Sequence, residues 1–263
     1  ACIFICKPEG HQNPVYIYET IQQSNVTVMH FVPSMLNEFC KYLQKNNLKV
    51  PRSLKYVFCS GEALLPVHVN MFYAQSEHEV ELHNLYGPTE ASVDVTFHYC
   101  TPNMNKVPIG RPIQNMKIHI LNPYLKPTSI GEIGELYIEG VGLAREYIRK
   151  ETLTRERFLD WNDKRVYKTG DLACWTKDGV VEYYGRNDFQ VKIRGYRIEL
   201  GEIEQVLSRY LGITQTAVLV QYREGEPCLV AYYESIKPII SSALMKHLQA
   251  YLPDYMIPAA FMH

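Results

Sequence analysis

The chain has 263 residues, 46% hydrophobic and 21% charged, the balance of a globular protein with enough material for a substantial core. Its 27 basic and 28 acidic side chains leave a formal net charge of −1, which gives no electrostatic argument for a nucleic acid or an anionic membrane as partner. No apolar run approaches the length that spans a bilayer. Seven scattered cysteines show no Cys-x-x-Cys or Cys/His zinc spacing, so reduced thiols in a cytoplasmic protein are expected. Residues 1–6 lack the basic region and cleavage pattern of a signal peptide. They also lack an initiator methionine, and the chain is expected to be a piece of something longer.

From Val15 to Leu85 the pattern alternates. A helix over Val15–Gln23 leads to an apolar run, Val26–Val32, and a second helix opens at Pro33-Ser34 and runs to about Asn46. Next come a strand over Leu54–Cys59, a helix after Pro66 and a strand over Val80–Leu85. Strand-helix-strand alternation predicts a parallel sheet covered by helices. Ligands in such sheets sit at the carboxyl ends of the strands. That rule puts Ser60-Gly61-Glu62 and the turn after Leu85 on one rim.

After Glu90 short β-rich runs, Ser92–Tyr99, Lys117–Leu121, Glu135–Glu139 and Val180–Tyr184, are separated by Pro and Gly turns, as in a small β-barrel or an antiparallel sheet. From Asp188 the texture shifts again. A helix near Gly201-Glu202, strands over Ala217–Gln221 and Leu229–Tyr233 and a helix over Ser241–Tyr251 form a βαββα-like unit. The expected fold is therefore α/β in two parts: residues 1–187, with a parallel sheet and a small barrel, and residues 188–263, a smaller α+β unit.

The richest stretch is His83 to Glu90. An apolar alternating run stops at Gly87-Pro88, where glycine allows close backbone approach and proline fixes φ. An amide (Asn84), an aromatic face (Tyr86), a hydroxyl (Thr89) and a carboxylate (Glu90) follow one another closely. That set suits a purine, a phosphate oxygen and a divalent cation, although an isolated N-x-Y-G would more simply be a turn that satisfies its own backbone. Four further segments follow in order: G-E-L-Y-I-E-G-V-G-L-A-R-E-Y from Gly134, Y-K-T-G-D-L from Tyr167, G-R-N-D-F-Q-V-K-I-R-G-Y-R-I-E-L-G-E-I-E from Gly185 and L-P-D-Y-M-I-P from Leu252. Together with N-L-Y-G-P-T-E, these resemble the core motifs of adenylate-forming enzymes, and most closely the adenylation domains of nonribosomal peptide synthetases.

The resemblance implies a role for each matching residue. Tyr86 would stack on adenine, Asn84 bond its exocyclic amine, Gly61 and Glu62 border the base, Gly87 and Thr89 approach the α-phosphate, and Glu90 bind Mg2+. Asp171 would hold the ribose hydroxyls, with Tyr183 and Arg186 on the ribose and phosphate side. Asp188 would be the hinge of a mobile small domain. Lys192 and Gly195 would lie in a loop that reaches the active site only during thioester formation. His30, Phe58, Ser60, Leu85, Val93 and Asp94 match positions that line the amino-acid pocket, and the set resembles that of serine-activating domains. Phe58 and Leu85 consume volume, while His30, Ser60 and Asp94 offer partners for one hydroxyl, whose absence in a competitor would leave them unpaired.

The resemblance also places the glycine-rich phosphate loop before Ala1 and the catalytic lysine after His263. No catalytic residue is therefore assigned, and the 263-residue chain by itself is expected to be inactive in adenylation. The implied function is the C-terminal half of a domain that uses ATP and Mg2+ to make an aminoacyl-adenylate, L-seryl-AMP by the pocket match. The product would pass to the phosphopantetheine thiol of a peptidyl carrier protein, beside a condensation domain, in antibiotic or siderophore synthesis. A standalone acyl- or aryl-CoA ligase of the same superfamily and a non-catalytic nucleotide-binding remnant stand as alternatives.

Overall fold

The computed structural model describes residues 2–188, 190–223 and 226–263. The chain divides into two compact units, Ala1–Asn187 and Asp188–His263. Phe189, within the basic motif quoted above, lies outside the described residues.

In the first unit, helices α1 (Pro14–Gln23), α2 (Pro33–Lys45) and α3 (Pro66–Ala74) each start on a proline. Proline suits that position because its fixed φ is helical and its missing N–H would have had no partner there. Asn13 caps α1, its Oδ1 accepting from Val15 N at 3.0 Å and Tyr16 N at 3.2 Å. Strands β1 (Val28–Phe31), β2 (Tyr56–Cys59) and β3 (Glu81–Tyr86) pair in parallel, in register Phe31–Cys59–Asn84. The sheet is completed by β4 (Thr96–Cys100) and the short β5 (Arg111–Pro112), both antiparallel. The helices cover one face, where Ile17, Ile21, Leu36, Phe39, Leu43 and Phe72 pack on Phe31, Val57, Cys59 and Leu82. The other face carries Tyr56, Phe97 and Tyr99, all exposed.

Where a barrel or an antiparallel sheet was expected, the chain forms an antiparallel sheet that is not closed into a barrel. Its strands are β6 (Met116–Leu121), β7 (Gly134–Gly140), β8 (Phe158–Trp161), β9 (Lys164–Trp175) and β10 (Val181–Arg186), in order β10-β9-β7-β6 with β8 also on β9. The outer edge of β10 is met by a bridge from Gly110 to Val181, so the ladder continues toward the first sheet instead of returning to β6. Helix α4 (Glu151–Arg157) precedes β8. One expectation changes here. Ser92–Tyr99 is not one strand, because Ser92 (φ 61°) and Val93 (φ 77°) lie in the left-handed region and β4 begins only at Thr96. Asp171 lies inside the 12-residue β9, which runs on through Gly170 despite its φ of 78°.

The second unit begins with a hairpin, β11 (Gln190–Ile193) and β12 (Tyr196–Glu199), closed by Arg194 (φ 52°) and Gly195 (φ 79°). Both central residues have positive φ, the geometry that matches strand twist in a two-residue turn. Next come α5 (Leu200–Leu207), β13 (Ile213–Arg223), β14 (Glu226–Ser235), α6 (Ser241–Gln249) and β15 (Ala260–Met262), with β13-β14-β15 forming one sheet. Ile198, Ile203, Leu207, Val218, Leu244 and Leu248 build its core. Tyr255 stacks parallel on Tyr196, with centroids 4.1 Å apart and planes 5° from parallel. No helix among the described residues is long and apolar enough to cross a membrane. All seven cysteines are free thiols, and burial pushes Cys40 and Cys100 up to about 12.

Candidate functional site

The pairing register aligns the carboxyl ends of β1, β2 and β3, so Ser60-Gly61-Glu62 and the Gly87–Asp94 turn lie along one rim. Strand β3 sorts its side chains by alternation. Asn84 and Tyr86 take the buried face, while His83 and Leu85 take the other and are half-buried. The Asn84 amide nitrogen donates to Pro108 O at 2.8 Å, which fixes the orientation of the amide. Gly61 has a φ of 90°, a conformation that favours glycine. Glu62 lies at the N-terminus of α2, its Oε2 accepting from Ser34 N at 3.0 Å, where a carboxylate offsets the helix dipole.

Tyr86, Asp171, Tyr183 and Arg186 form one cluster. The Tyr86 hydroxyl donates to Asp171 Oδ2 at 2.5 Å, and Arg186 Nη1 donates to Asp171 Oδ1 at 2.8 Å. Arg186 Nη2 also reaches Thr169 O at 3.0 Å, and Asp171 N donates to Thr169 Oγ1 at 2.9 Å. The Tyr183 ring lies 6.3 Å from that of Tyr86. Asp171 and Arg186 face each other across β9 and β10 at a register shift. Burial pushes the Tyr86 phenol well above its ordinary range, and the adjacent Asp171 carboxylate adds to the effect. The hydroxyl is therefore a fixed donor at neutral pH.

Beyond β3 the chain turns sharply. A Cβ on Gly87 would lie 2.3 Å from Val93 O and 2.9 Å from Val95 N, so only glycine lets the returning backbone pass. Pro88 O accepts from Ala91 N at 3.0 Å and Val93 N at 3.2 Å, and Ser92 O accepts from Asp94 N at 3.1 Å. The last bond closes a three-residue γ-turn on Val93, a strained geometry for a β-branched residue. Thr89 is exposed, at the head of a one-turn 3-10 helix over Thr89–Ala91. Glu90 is only 8% exposed, and its Oε1 accepts from the Tyr147 hydroxyl at 2.6 Å.

Among the described residues no group of three or more His, Cys, Asp or Glu could hold a metal ion by itself. A lone carboxylate oxygen donor fits Mg2+, which keeps several waters and takes further ligands from substrate phosphates.

On the other face of the first sheet, His30 and Ser60 are brought together, Nε2 to Oγ at 2.8 Å. His30 pairs with Phe58 across the strands, and the Phe58 ring lies 5.4 Å from His83. Leu85 lies two residues beyond His83 on the same face of β3. Val93 and Asp94 sit on the γ-turn, with Val93 57% exposed. Asp188, Lys192 and Gly195 belong to the second unit. The Asp188 carboxylate accepts from Gln190 N at 3.2 Å, and Lys192 pairs with Arg197 beside the Gly195 turn.

Sequence reasoning missed three members of these networks: Thr169, the Pro108 carbonyl and Tyr147. Thr169 and Tyr147 lie inside the quoted segments, so their neighbourhood was visible while their contacts, which join distant parts of the chain, were not.

Residues 1–148 match the family of AMP-binding enzymes. The chain is 47% identical to zwittermicin A synthase ZmaJ of Bacillus cereus, over 99% of its own length and 51% of that protein's, so it spans about half of that relative. It resembles an artificially fused adenylation-PCP di-domain from Klebsiella oxytoca (TM-score 0.81, 25% identity, 95% of this chain and 47% of that one). It also resembles the Vibrio cholerae adenylation domain AlmE in complex with glycyl-adenosine-5'-phosphate (TM-score 0.82, 26% identity, 94% of this chain and 48% of that one). A match over more than half of the residues, on a fold shared with solved adenylation domains, has one meaning: the chain belongs to the AMP-binding enzymes.

Proposed function

We propose that the chain is part of an adenylation domain that activates L-serine with ATP and passes it to a carrier-protein thiol in nonribosomal peptide synthesis. The observation that carries the reading is the alternation of β3. It directs Asn84 and Tyr86 to one side and Leu85, near Phe58, His30 and Ser60, to the other. A strand built this way can hold a base and an amino acid on its two faces, with the phosphate turn at its end. Similarity to AlmE, solved with a glycyl-adenylate, and to a fused adenylation-PCP di-domain supports the adenylate and the carrier partner.

In the first half-reaction a serine carboxylate oxygen attacks the α-phosphorus of ATP. The bond to the bridging oxygen breaks, and its electron pair leaves with pyrophosphate. In the second, the phosphopantetheine sulfur attacks the acyl carbon, AMP departs and the thiol proton goes to solvent. Asn84 would accept from the adenine amine through its carbonyl oxygen, and the Tyr86 ring would lie against the base. Asp171, oriented by Tyr86 and Arg186, would accept from the ribose hydroxyls, with Tyr183 beside it. Gly61 and Glu62 would border the base, and Gly87 and Thr89 would let the α-phosphate approach. Glu90 would hold Mg2+, which when bound neutralises phosphate charge. Asp188 would be the hinge between the half-reactions, with the Lys192–Gly195 turn serving the second.

The hydrogen-bonded His30–Ser60 pair, with Asp94, favours a small hydroxylated side chain over a fatty or aryl acid. In this reading the protein works in the cytoplasm, where ATP and reduced thiols are available, beside a condensation domain.

The test is amino-acid-dependent pyrophosphate exchange by the whole protein that contains this chain, run across a panel of amino acids and of fatty and aryl acids. Serine should lead, and alanine should trail by roughly five- to 150-fold, the equivalent of about 1–3 kcal/mol for one polar group left unsatisfied. A large aromatic or aliphatic amino acid as best substrate overturns the pocket assignment. Exchange with fatty or aryl acids alone overturns the peptide-synthetase reading.

A further inference from the structure

Glu90 has a partner that none of the roles above includes. Tyr147, the last residue of G-V-G-L-A-R-E-Y, donates its hydroxyl to Glu90 Oε1 at 2.6 Å. Its ring is seated edge-on against Phe158 at 5.7 Å, and its hydroxyl lies 3.4 Å from that of the fully buried Tyr167. The segment that carries it is stitched to the turn at two more points. Ala144 N donates to Glu90 O at 2.7 Å, and Ser92 Oγ donates to Gly142 O at 2.7 Å. A Cβ on Gly142 would lie 3.2 Å from Ala91 O, so the two segments pass in close contact there.

Packing against Phe158 would be served as well by a phenylalanine, so the hydroxyl needs its own explanation. Glutamate turns about three side-chain bonds, and a carboxylate offers about four lone-pair directions. One donated hydrogen bond fixes its plane while leaving capacity for a cation.

We propose that Tyr147 is the positioning residue for the Glu90 carboxylate, holding one oxygen so that the group meets a divalent cation in a single orientation. The proposal rests on the reading of Glu90 as the cation ligand. It assigns the end of this segment to the metal subsite, at a distance of 57 residues from the carboxylate it serves.

The test titrates Mg2+ against ATP binding, followed calorimetrically, in the whole protein containing this chain. Tyr147→Phe keeps the ring and removes one bond to a buried carboxylate, so the thermal midpoint should fall by only a few degrees while Mg2+-free ATP binding stays near wild type. The Mg2+ concentration for half-maximal effect should rise about tenfold or more, the usual consequence of removing a residue that orients a metal ligand, and excess Mg2+ should restore full binding. Glu90→Gln should weaken the Mg2+ response still further. In a Glu90→Asp background, whose shorter side chain withdraws from the hydroxyl, Tyr147→Phe should add no further penalty. An unchanged Mg2+ midpoint in Tyr147→Phe, with Glu90→Gln impaired, overturns the positioning role, as does loss of ATP binding without Mg2+. A normal Mg2+ response in Glu90→Gln instead overturns the cation reading of Glu90 itself.

Discussion

Replacing Tyr86 by Phe isolates a single buried bond. The ring, 8% exposed among Val95, Ile109, Ile138 and Val181, keeps its packing, while the 2.5 Å donation to Asp171 disappears. Asp171 retains Arg186 at 2.8 Å, so the substitution removes a single charge-assisted donor. A hydrogen bond to a charged group contributes about 1.5–3 kcal/mol. At about 2–4 °C per kcal/mol for a unit of this size, the midpoint of the 1–187 unit should fall by roughly 3–12 °C. The alkaline limb should change as well. The Tyr86 phenol is raised in the folded state above its unfolded value near 10, so its contribution is full below about pH 10 and is lost as pH climbs toward the raised folded value. Tyr86→Phe should therefore flatten the decline of stability above pH 10. Scanning calorimetry of wild type and variant at pH 7 and across pH 9–11 reads both effects. A midpoint within 1 °C of wild type at pH 7 would refute the energetic role of this bond, whatever the nucleotide does.

Asp171→Asn should cost more, about 3–5 kcal/mol, because it removes the negative charge opposite the Arg186 guanidinium, whose side chain is 10% exposed. A milder effect on the thermal midpoint than that of Tyr86→Phe would show that the ion pair is not the anchor of the cluster. Gly87→Ala drives a Cβ to 2.3 Å from Val93 O and should destabilise by about 1–3 kcal/mol in denaturant titration. It should also narrow the preference for serine over alanine, and an unchanged preference would mean that the γ-turn does not shape the pocket. Asp188→Pro restricts the boundary between the two units and should slow thioester formation more than pyrophosphate exchange. Equal losses in both would count against a hinge there.

Much of the first sheet was legible because its signals are local. Pro33 and Pro66 marked two of the helix starts, and alternation over Val80–Leu85 marked the strand that the structure places at Glu81–Tyr86. Elements went astray where one residue overrode its neighbours. Val93 reads as strand by type, yet the approach of Gly87 and the bond from Asp94 N to Ser92 O bend the chain into a γ-turn. Gly170 reads as a turn, yet β9 continues through it because β7 and β10 pair on either side. The candidate residues themselves were legible as motifs, but their bonds were not. Tyr86 and Asp171 are 85 residues apart, and Tyr147 and Glu90 are 57. Only folding places such partners side by side, and no spacing rule encodes contacts of that range.

The turn at Val93 uncouples the path of the backbone from the side chain it carries. Its path is set by main-chain atoms, Val93 N to Pro88 O and Asp94 N to Ser92 O, while the side chain at 93 is 57% exposed. A β-branched residue at a φ of 77° is strained, so replacement by glycine relieves strain, and alanine or aspartate at least sheds the branching. Each of these is a single-nucleotide step from a valine codon. The side chain at this position can therefore change without dismantling the turn that carries it.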